Sequence, residues 1–259
     1  MAEFERTFDN AAREYDAVRP EYPEALYQDI FRYQPVHQES QVLEIGMGTG
    51  KAAGPVLKTG CRFLGLEPGE NLGALAQKRL GGYNNFCLCQ ARLQDFQCPA
   101  ESFDLIYAAT AFHWIPQDYG YQRVYQLLKP GGAFARFAYH AGPDEGRHEL
   151  TAEIYQLYRR YMHGGKGQYR PFALADGESL AREGEKYGFS HPKAHVYQMK
   201  RDFSPEKYME LLKTYRDHIS LEPELRDKLF TGIFQAIQRH GGTMTVYYTV
   251  DLELMRKPG

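Results

Sequence analysis

Hydrophobic positions change their spacing repeatedly along the chain, and each change marks an element. Around 41–45, 61–67, 86–89 and 103–109 they gather into short apolar runs, among them Val42-Leu43, Phe63-Leu64, Phe86-Cys87-Leu88-Cys89 and Leu105-Ile106-Tyr107-Ala108. Runs of strand length bounded by turn residues predict buried strands. A fifth strand follows the helix end and turn in Leu127-Leu128-Lys129-Pro130-Gly131-Gly132-Ala133-Phe134. Between the runs, helical spacing predicts helices over 24–33, 51–59 and 71–80, the last with Leu72, Leu75 and Ala76 on one face and a Gly81-Gly82 stop. Upstream, Phe8, Ala11, Ala12 and Tyr15 share one face of a helix over 4–18, which Arg19-Pro20-Glu21-Tyr22-Pro23 breaks.

The second half is more helical. Leu150, Ile154, Leu157, Tyr158 and Tyr161 predict a helix over 147–162, followed by a flexible break at Gly164-Gly165-Lys166-Gly167. Helices are expected over 176–187, from Ser204-Pro205 to about 218, and over 222–240. A strand is expected over 194–199, and strict alternation of Met244, Val246, Tyr248, Val250, Leu252 and Leu254 marks a long final one over 243–255.

Strands alternating with helices imply an α/β fold, a doubly wound, mostly parallel sheet that takes its ligands at the carboxyl ends of its strands. The sum is seven strands. At 259 residues with no repeats or low-complexity linkers, a single domain is expected: an N-terminal helical cap over 1–40, a core over 41–140, and helical lid insertions with the final strands over 141–259. A net charge of −2 leaves no electrostatic footprint for nucleic acid. The apolar runs are too short for a membrane span and the N-terminus has no signal-like core, so a cytoplasmic protein is expected. Cys61, Cys87, Cys89 and Cys98 show no metal-ligand spacing, and no metal is expected.

The candidate chemistry begins at Glu44-Ile45-Gly46-Met47-Gly48-Thr49-Gly50, where a strand enters a glycine turn. Glycines permit positive φ and let a ligand approach bare backbone. A Walker loop fails, because Ile45 and Ala52 occupy the positions of its first glycine and its hydroxyl. A dinucleotide fingerprint survives as Gly48-x-Gly50-x-x-Ala53, and an acidic-x-Gly-x-Gly-x-Gly pattern fits from Glu44. Glu67 closes the next strand, where an acid that binds ribose hydroxyls belongs under either reading.

The acidic-x-Gly-x-Gly-x-Gly loop, Glu67, the Asp104-Leu105-Ile106 strand leading to Phe112-His113-Trp114, and Leu128-Lys129-Pro130-Gly131-Gly132 occur in one order. In that order they resemble the class I S-adenosylmethionine-dependent methyltransferases of small-molecule type, such as those of trans-aconitate or of ubiquinone biosynthesis. The resemblance covers about 15–140 and implies a Rossmann-like methyltransferase fold with S-adenosylmethionine as cofactor. It implies cofactor contacts from Glu44, Gly46, Gly48, Thr49, Gly50, Glu67, Pro68, Ala108 and Phe112, with Tyr15 and Arg19 closing over the site. Gln90-Ala91 stands where the family often has Asp-Ala. Phe112, Trp114 and Tyr15 offer aromatic faces to a sulfonium. His113 is the candidate catalytic base or substrate-positioning group, and Tyr22, Trp114, Tyr139, His140, Tyr215 and His218 are candidate substrate contacts. The implied partner is a small-molecule methyl acceptor, an oxygen or nitrogen nucleophile that includes carboxylates. A nicotinamide-dependent oxidoreductase and a non-catalytic nucleoside-cofactor-binding protein are the alternatives.

Overall fold

The structure, a computed structural model, describes residues 20–144, 146–162 and 170–259. The expected helix over 4–18, with Tyr15 and Arg19, and the glycine break at 164–167 lie outside the described residues. Pro23 precedes α1 (Glu24–Tyr33), whose Leu26, Tyr27 and Ile30 are buried. Five strands follow: β1 (Gln41–Ile45), β2 (Arg62–Leu66), β3 (Phe86–Cys89), β4 (Phe103–Ala109) and β5 (Leu128–Gly142). Between them lie α2 (Ala53–Leu57), α3 (Glu70–Leu80) and α4 (Gln117–Leu127). The chain ends through α5 (His148–Tyr161), α6 (Leu174–Glu183), β6 (Ser190–Phe203), α7 (Pro205–Leu212), α8 (Arg216–Ile219), α9 (Pro223–Arg239) and β7 (Met244–Arg256).

The strands make one seven-stranded sheet in the order β3-β2-β1-β4-β5-β7-β6. Neighbours among β1 to β5 pair in parallel, and β7 runs antiparallel between β5 and β6. The doubly wound reading therefore holds, with one antiparallel hairpin at the edge. One face packs on α1 to α3 through Leu26, Ile30, Val42, Ala53, Val56 and Tyr107. The opposite face packs on α4 through Leu43, Ile106, Tyr121, Val124 and Phe134. A further core joins α5, α7 and α9 to the far ends of β6 and β7, through Leu150, Leu211, Ile233, Val246 and Tyr248.

Several expectations need correction. The helix after the glycine loop covers only Ala53–Leu57 rather than 51–59, because Gly54 and Pro55 sit at its start and neither favours a longer helix. Lys129-Pro130-Gly131-Gly132 is not a free turn. It is a bulge inside β5, across which the pairing with β4 jumps from Phe103–Leu128 to Leu105–Ala133, and Gly131 takes φ 77° to make the bend. The helix expected from 205 to about 218 stops at Leu212 and restarts at Arg216. There the Thr214 hydroxyl donates to the Leu211 carbonyl at 2.7 Å, a side-chain bond that competes with the helical ladder.

Candidate active site

Strand order reverses between β1 and β4, so their carboxyl ends flank a crevice at the switch point of the sheet. The loop leaving β1 is tied down on both sides. Met47 N–H donates to the Leu66 carbonyl at 2.9 Å, and Gly50 N–H returns to the Met47 carbonyl at 2.9 Å. Gly46, Gly48 and Gly50 take φ values of 65°, 55° and 77°. A Cβ at Gly46 would stand 2.7 Å from that of Ala111, and one at Gly50 would stand 2.6 Å from Leu80 Cδ1. At Gly48 a Cβ would meet nothing within 4 Å. Two glycines are thus demanded by neighbours, and the middle one presents bare backbone to open space. All three alternate glycines are left-handed, which the acidic-x-Gly-x-Gly-x-Gly pattern accounts for and a fingerprint starting at Gly48 does not. The five-residue helix behind the loop is too short to lend much dipole, so anion preference here rests on the loop N–H groups.

Glu67 is buried at the end of β2, and its carboxylate receives Gly48 N–H on Oε2 and Gly69 N–H on Oε1, both at 2.8 Å. It therefore shapes the glycine loop as well as standing where a ribose would be read. Thr49 is buried and anchored to α3, with Arg79 donating to its carbonyl at 3.1 Å and its hydroxyl at 3.3 Å. Pro68 is half-buried beside it, and Gln90 and Ala91 follow β3, Gln90 exposed and Ala91 N–H held by the Cys89 carbonyl at 3.0 Å. Glu44 is 1% exposed and accepts the Tyr107 hydroxyl at 2.8 Å inside the first core. Burial pushes its carboxyl up to about 8, opposed by the Tyr107 bond and reinforced by the charge of Glu67. Glu44 thus supports the crevice from within the core.

At the end of β4, buried Ala108 leads to Thr110, a β-branched residue held at φ 53°. Its N–H donates to the Phe137 carbonyl at 2.7 Å, and its hydroxyl lies 2.6 Å from that of Tyr22. Backbone strain of this kind concentrates at functional sites. Tyr22 stacks on Tyr139 with centroids 4.4 Å apart, and the Tyr139 hydroxyl donates to the Pro20 carbonyl at 2.7 Å. Residues 20–22 are thereby pinned across the carboxyl ends of β4 and β5. The single turn Phe112–Trp114 then presents His113, exposed at the rim, and Trp114, 46% exposed. Crowding by the protein lowers the His113 pKa, helped by Arg136 and opposed by Asp251.

Other expected contacts are differently placed. Phe112 is buried against Tyr121 and Phe134, with the Arg136 guanidinium 5.5 Å from its ring, and borders this edge only as part of the wall of a small cavity beneath His113. Tyr215 and His218 belong to the core of α5, α7 and α9, where the buried His218 bonds the Tyr158 hydroxyl at 2.9 Å and Asp217 at 2.7 Å. Both are removed from the substrate candidates on that ground. His140 is stacked on Phe172 and stands 3.1 Å from Asp251. Sequence reasoning missed Thr110, Arg136, Asp251 and Glu253. The last three carried one signal, charges inside otherwise apolar strands.

Residues 42–132 match a family described as a methyltransferase domain. An uncharacterised methyltransferase of Bacillus mycoides is 31% identical over 160 residues, 58% of this chain and 74% of its own length. The chain belongs to the class I S-adenosylmethionine-dependent methyltransferases. A relative from Saccharomyces cerevisiae, described as an S-adenosylmethionine-dependent methyltransferase, is 28% identical over 56% of this chain and 50% of its own, so this methyltransferase spans about half the length of that relative. Among solved structures, a proposed type II methyltransferase from Anaeromyxobacter dehalogenans superposes with a TM-score of 0.67 at 19% identity, over 93% of this chain and 98% of that one. At that identity the likeness establishes the fold alone. S-adenosylmethionine fits the residues present, since the space beside Gly48 is one that a Cβ would enter and Glu67 stands next to it.

Proposed function

We propose that the protein transfers a methyl group from S-adenosylmethionine to the oxygen or nitrogen of a small-molecule acceptor, at the carboxyl ends of β4 and β5. The observation that carries this reading is the bare Gly48 backbone opening beside Glu67 at the switch point of the sheet. When bound, the cofactor supplies an electrophilic methyl group on a sulfonium. Glu67 accepts ribose hydroxyls, the loop N–H groups and Thr49 border the cofactor, and Gln90 and Ala91 border its base. Tyr22, Tyr139 and Trp114 form the wall on the acceptor side, and the helices beyond β5 exclude water from it.

His113 is the candidate catalytic residue. An imidazole with a lowered pKa is neutral at neutral pH and takes a proton from a hydroxyl or amine as that group becomes nucleophilic. A carboxylate acceptor is already an anion and needs no base, so the His113→Asn variant separates the two cases. It should lower kcat by about 10²–10⁴-fold for protic acceptors and leave carboxylates within about threefold. The deciding experiment incubates the protein with methyl-labelled cofactor and a panel of small acids, phenols and amines. Label in an acceptor is the expected result. S-adenosylhomocysteine binding without any labelled product would favour a non-catalytic cofactor-binding protein.

A further inference from the structure

Beneath His113 a cavity of about 20 Å³ opens at the carboxyl end of β4. That is room for roughly one water-sized group. Its walls are apolar, from Ala108, Ala111, Phe112 and Phe137, while its floor is a buried charge cluster contributed by β5 and β7. The antiparallel register makes that floor, because Arg136 pairs with Glu253 and Ala138 with Asp251. Arg136 Nε stands 3.2 Å from Glu253 Oε2, and its Nη1 donates to the Tyr121 hydroxyl at 3.2 Å. Asp251 is held by the Ala138 N–H and faces His140 Nε2 at 3.1 Å.

Glu253 is different. It is 0% exposed, yet neither of its carboxyl oxygens receives a hydrogen bond of good geometry from any described residue. A buried acceptor left in that condition destabilises the fold. Gly177 of α6 covers it closely on another side, since a Cβ there would come within 3.4 Å of Glu253 Oε1. The unmet demand in the cavity is for donors. Burial and the neighbouring Asp251 keep a proton on Glu253 in the free protein. An ammonium guest would displace that proton to solvent and leave two carboxylates against one guanidinium and one ammonium, a balance that an anionic guest could not give.

We propose that this cavity anchors an amino group of the methyl acceptor, with Glu253 receiving its N–H donors and Arg136 and Asp251 fixing the Glu253 carboxyl. The proposal rests on the methyl-transfer reading and narrows it to amine-bearing small molecules. Thr110 and His113 line the cavity as well, so an anchored amine places the rest of the molecule at the carboxyl end of β4. Glu253 acts here as a binding residue, apart from the cofactor loop.

Binding, rather than turnover, tests it. Calorimetry on the protein saturated with S-adenosylhomocysteine would compare primary amines, from methylamine hydrochloride to phenethylamine hydrochloride, with alcohols of the same skeletons. Amines should bind at least tenfold tighter, and Glu253→Gln should erase most of that preference while leaving S-adenosylhomocysteine affinity unchanged. Equal affinity of amine and alcohol, no detectable amine binding, or an intact preference in Glu253→Gln each overturns the proposal. Should that variant fail to fold, the comparison in the unmodified protein decides alone. Absence of methyl transfer to any acceptor would sink the proposed activity and leave the amine comparison standing, so the two failures are distinguishable.

Discussion

Replacing Glu67 with glutamine separates two jobs that the structure gives one side chain. Its carboxylate takes Gly48 N–H on one oxygen and Gly69 N–H on the other, each at 2.8 Å. Glutamine offers one carbonyl oxygen and turns an NH₂ toward the other donor, so one backbone N–H loses its acceptor in a buried place. Hydrogen bonds to charged groups contribute about 1.5–3 kcal/mol, and an orphaned buried donor costs a similar amount. A loss of about 2–3 kcal/mol is therefore expected. In a chain of this size that lowers Tm by roughly 4–12 °C. Thermal unfolding without ligand reads the structural part, and calorimetry with S-adenosylhomocysteine reads the binding part. If Glu67 served ribose alone, Glu67→Gln would unfold at the normal temperature and show only weaker binding. A Tm within about 1 °C of the unmodified protein would refute the loop-shaping role.

Two further outcomes follow from the packing and burial. A Cβ at Gly65 would lie 1.9 Å from Met47 Sδ, so Gly65→Ala should destabilise by about 1–3 kcal/mol as an overpacked core, and denaturant unfolding should show it costing much less in a Met47→Ala background. Glu44, pushed up to about 8 from an ordinary 4.5, holds a proton in the folded state that the unfolded chain releases above about pH 5. Stability should therefore fall as pH rises from about 5 to 8, by an amount on the order of a few kcal/mol, and then level off. Glu253, pushed up to about 9 by burial and by the charge of Asp251 against the opposing Arg136, adds a fall of the same sign. Unfolding free energies measured across that range should fall less steeply in Glu44→Gln, and an unchanged slope would count against the buried proton.

The glycine loop and the acid that shapes it were legible because they are written locally. Glycines at alternate positions and an acid at a strand end each state a backbone requirement within a few residues. Helix 24–33 and strands 86–89 and 103–109 were readable for the same reason, since one period of apolar spacing defines each. The charge cluster of β5 and β7 was not. Arg136 and Glu253 meet only through the register of β5 on β7, and no local pattern carries a register between strands so distant in sequence. Alternation in the final strand marked Val250, Leu252 and Leu254 as its inner face, whereas Asp251 and Glu253 are buried too because β7 lies between two strands and is covered on both sides. Thr110 was missed for a different reason. Threonine is a poor left-handed residue, and only the pairing of its N–H with Phe137 and of its hydroxyl with Tyr22 holds it there. His218 was misplaced because a histidine at helical spacing looks the same whether it faces a ligand or a core.

The central claim is that the bare backbone at Gly48 receives S-adenosylmethionine, and titration calorimetry with S-adenosylhomocysteine tests it most directly. One product molecule should bind per chain, NADH should give no heat, and a folded Gly48→Val variant should bind the product at least tenfold more weakly, about 1.4 kcal/mol. A Cβ at Gly48 meets no neighbour, so that variant carries only the strain of a positive φ, about 1–2 kcal/mol. Undiminished affinity in Gly48→Val, or binding of NADH in place of S-adenosylhomocysteine, would contradict the account.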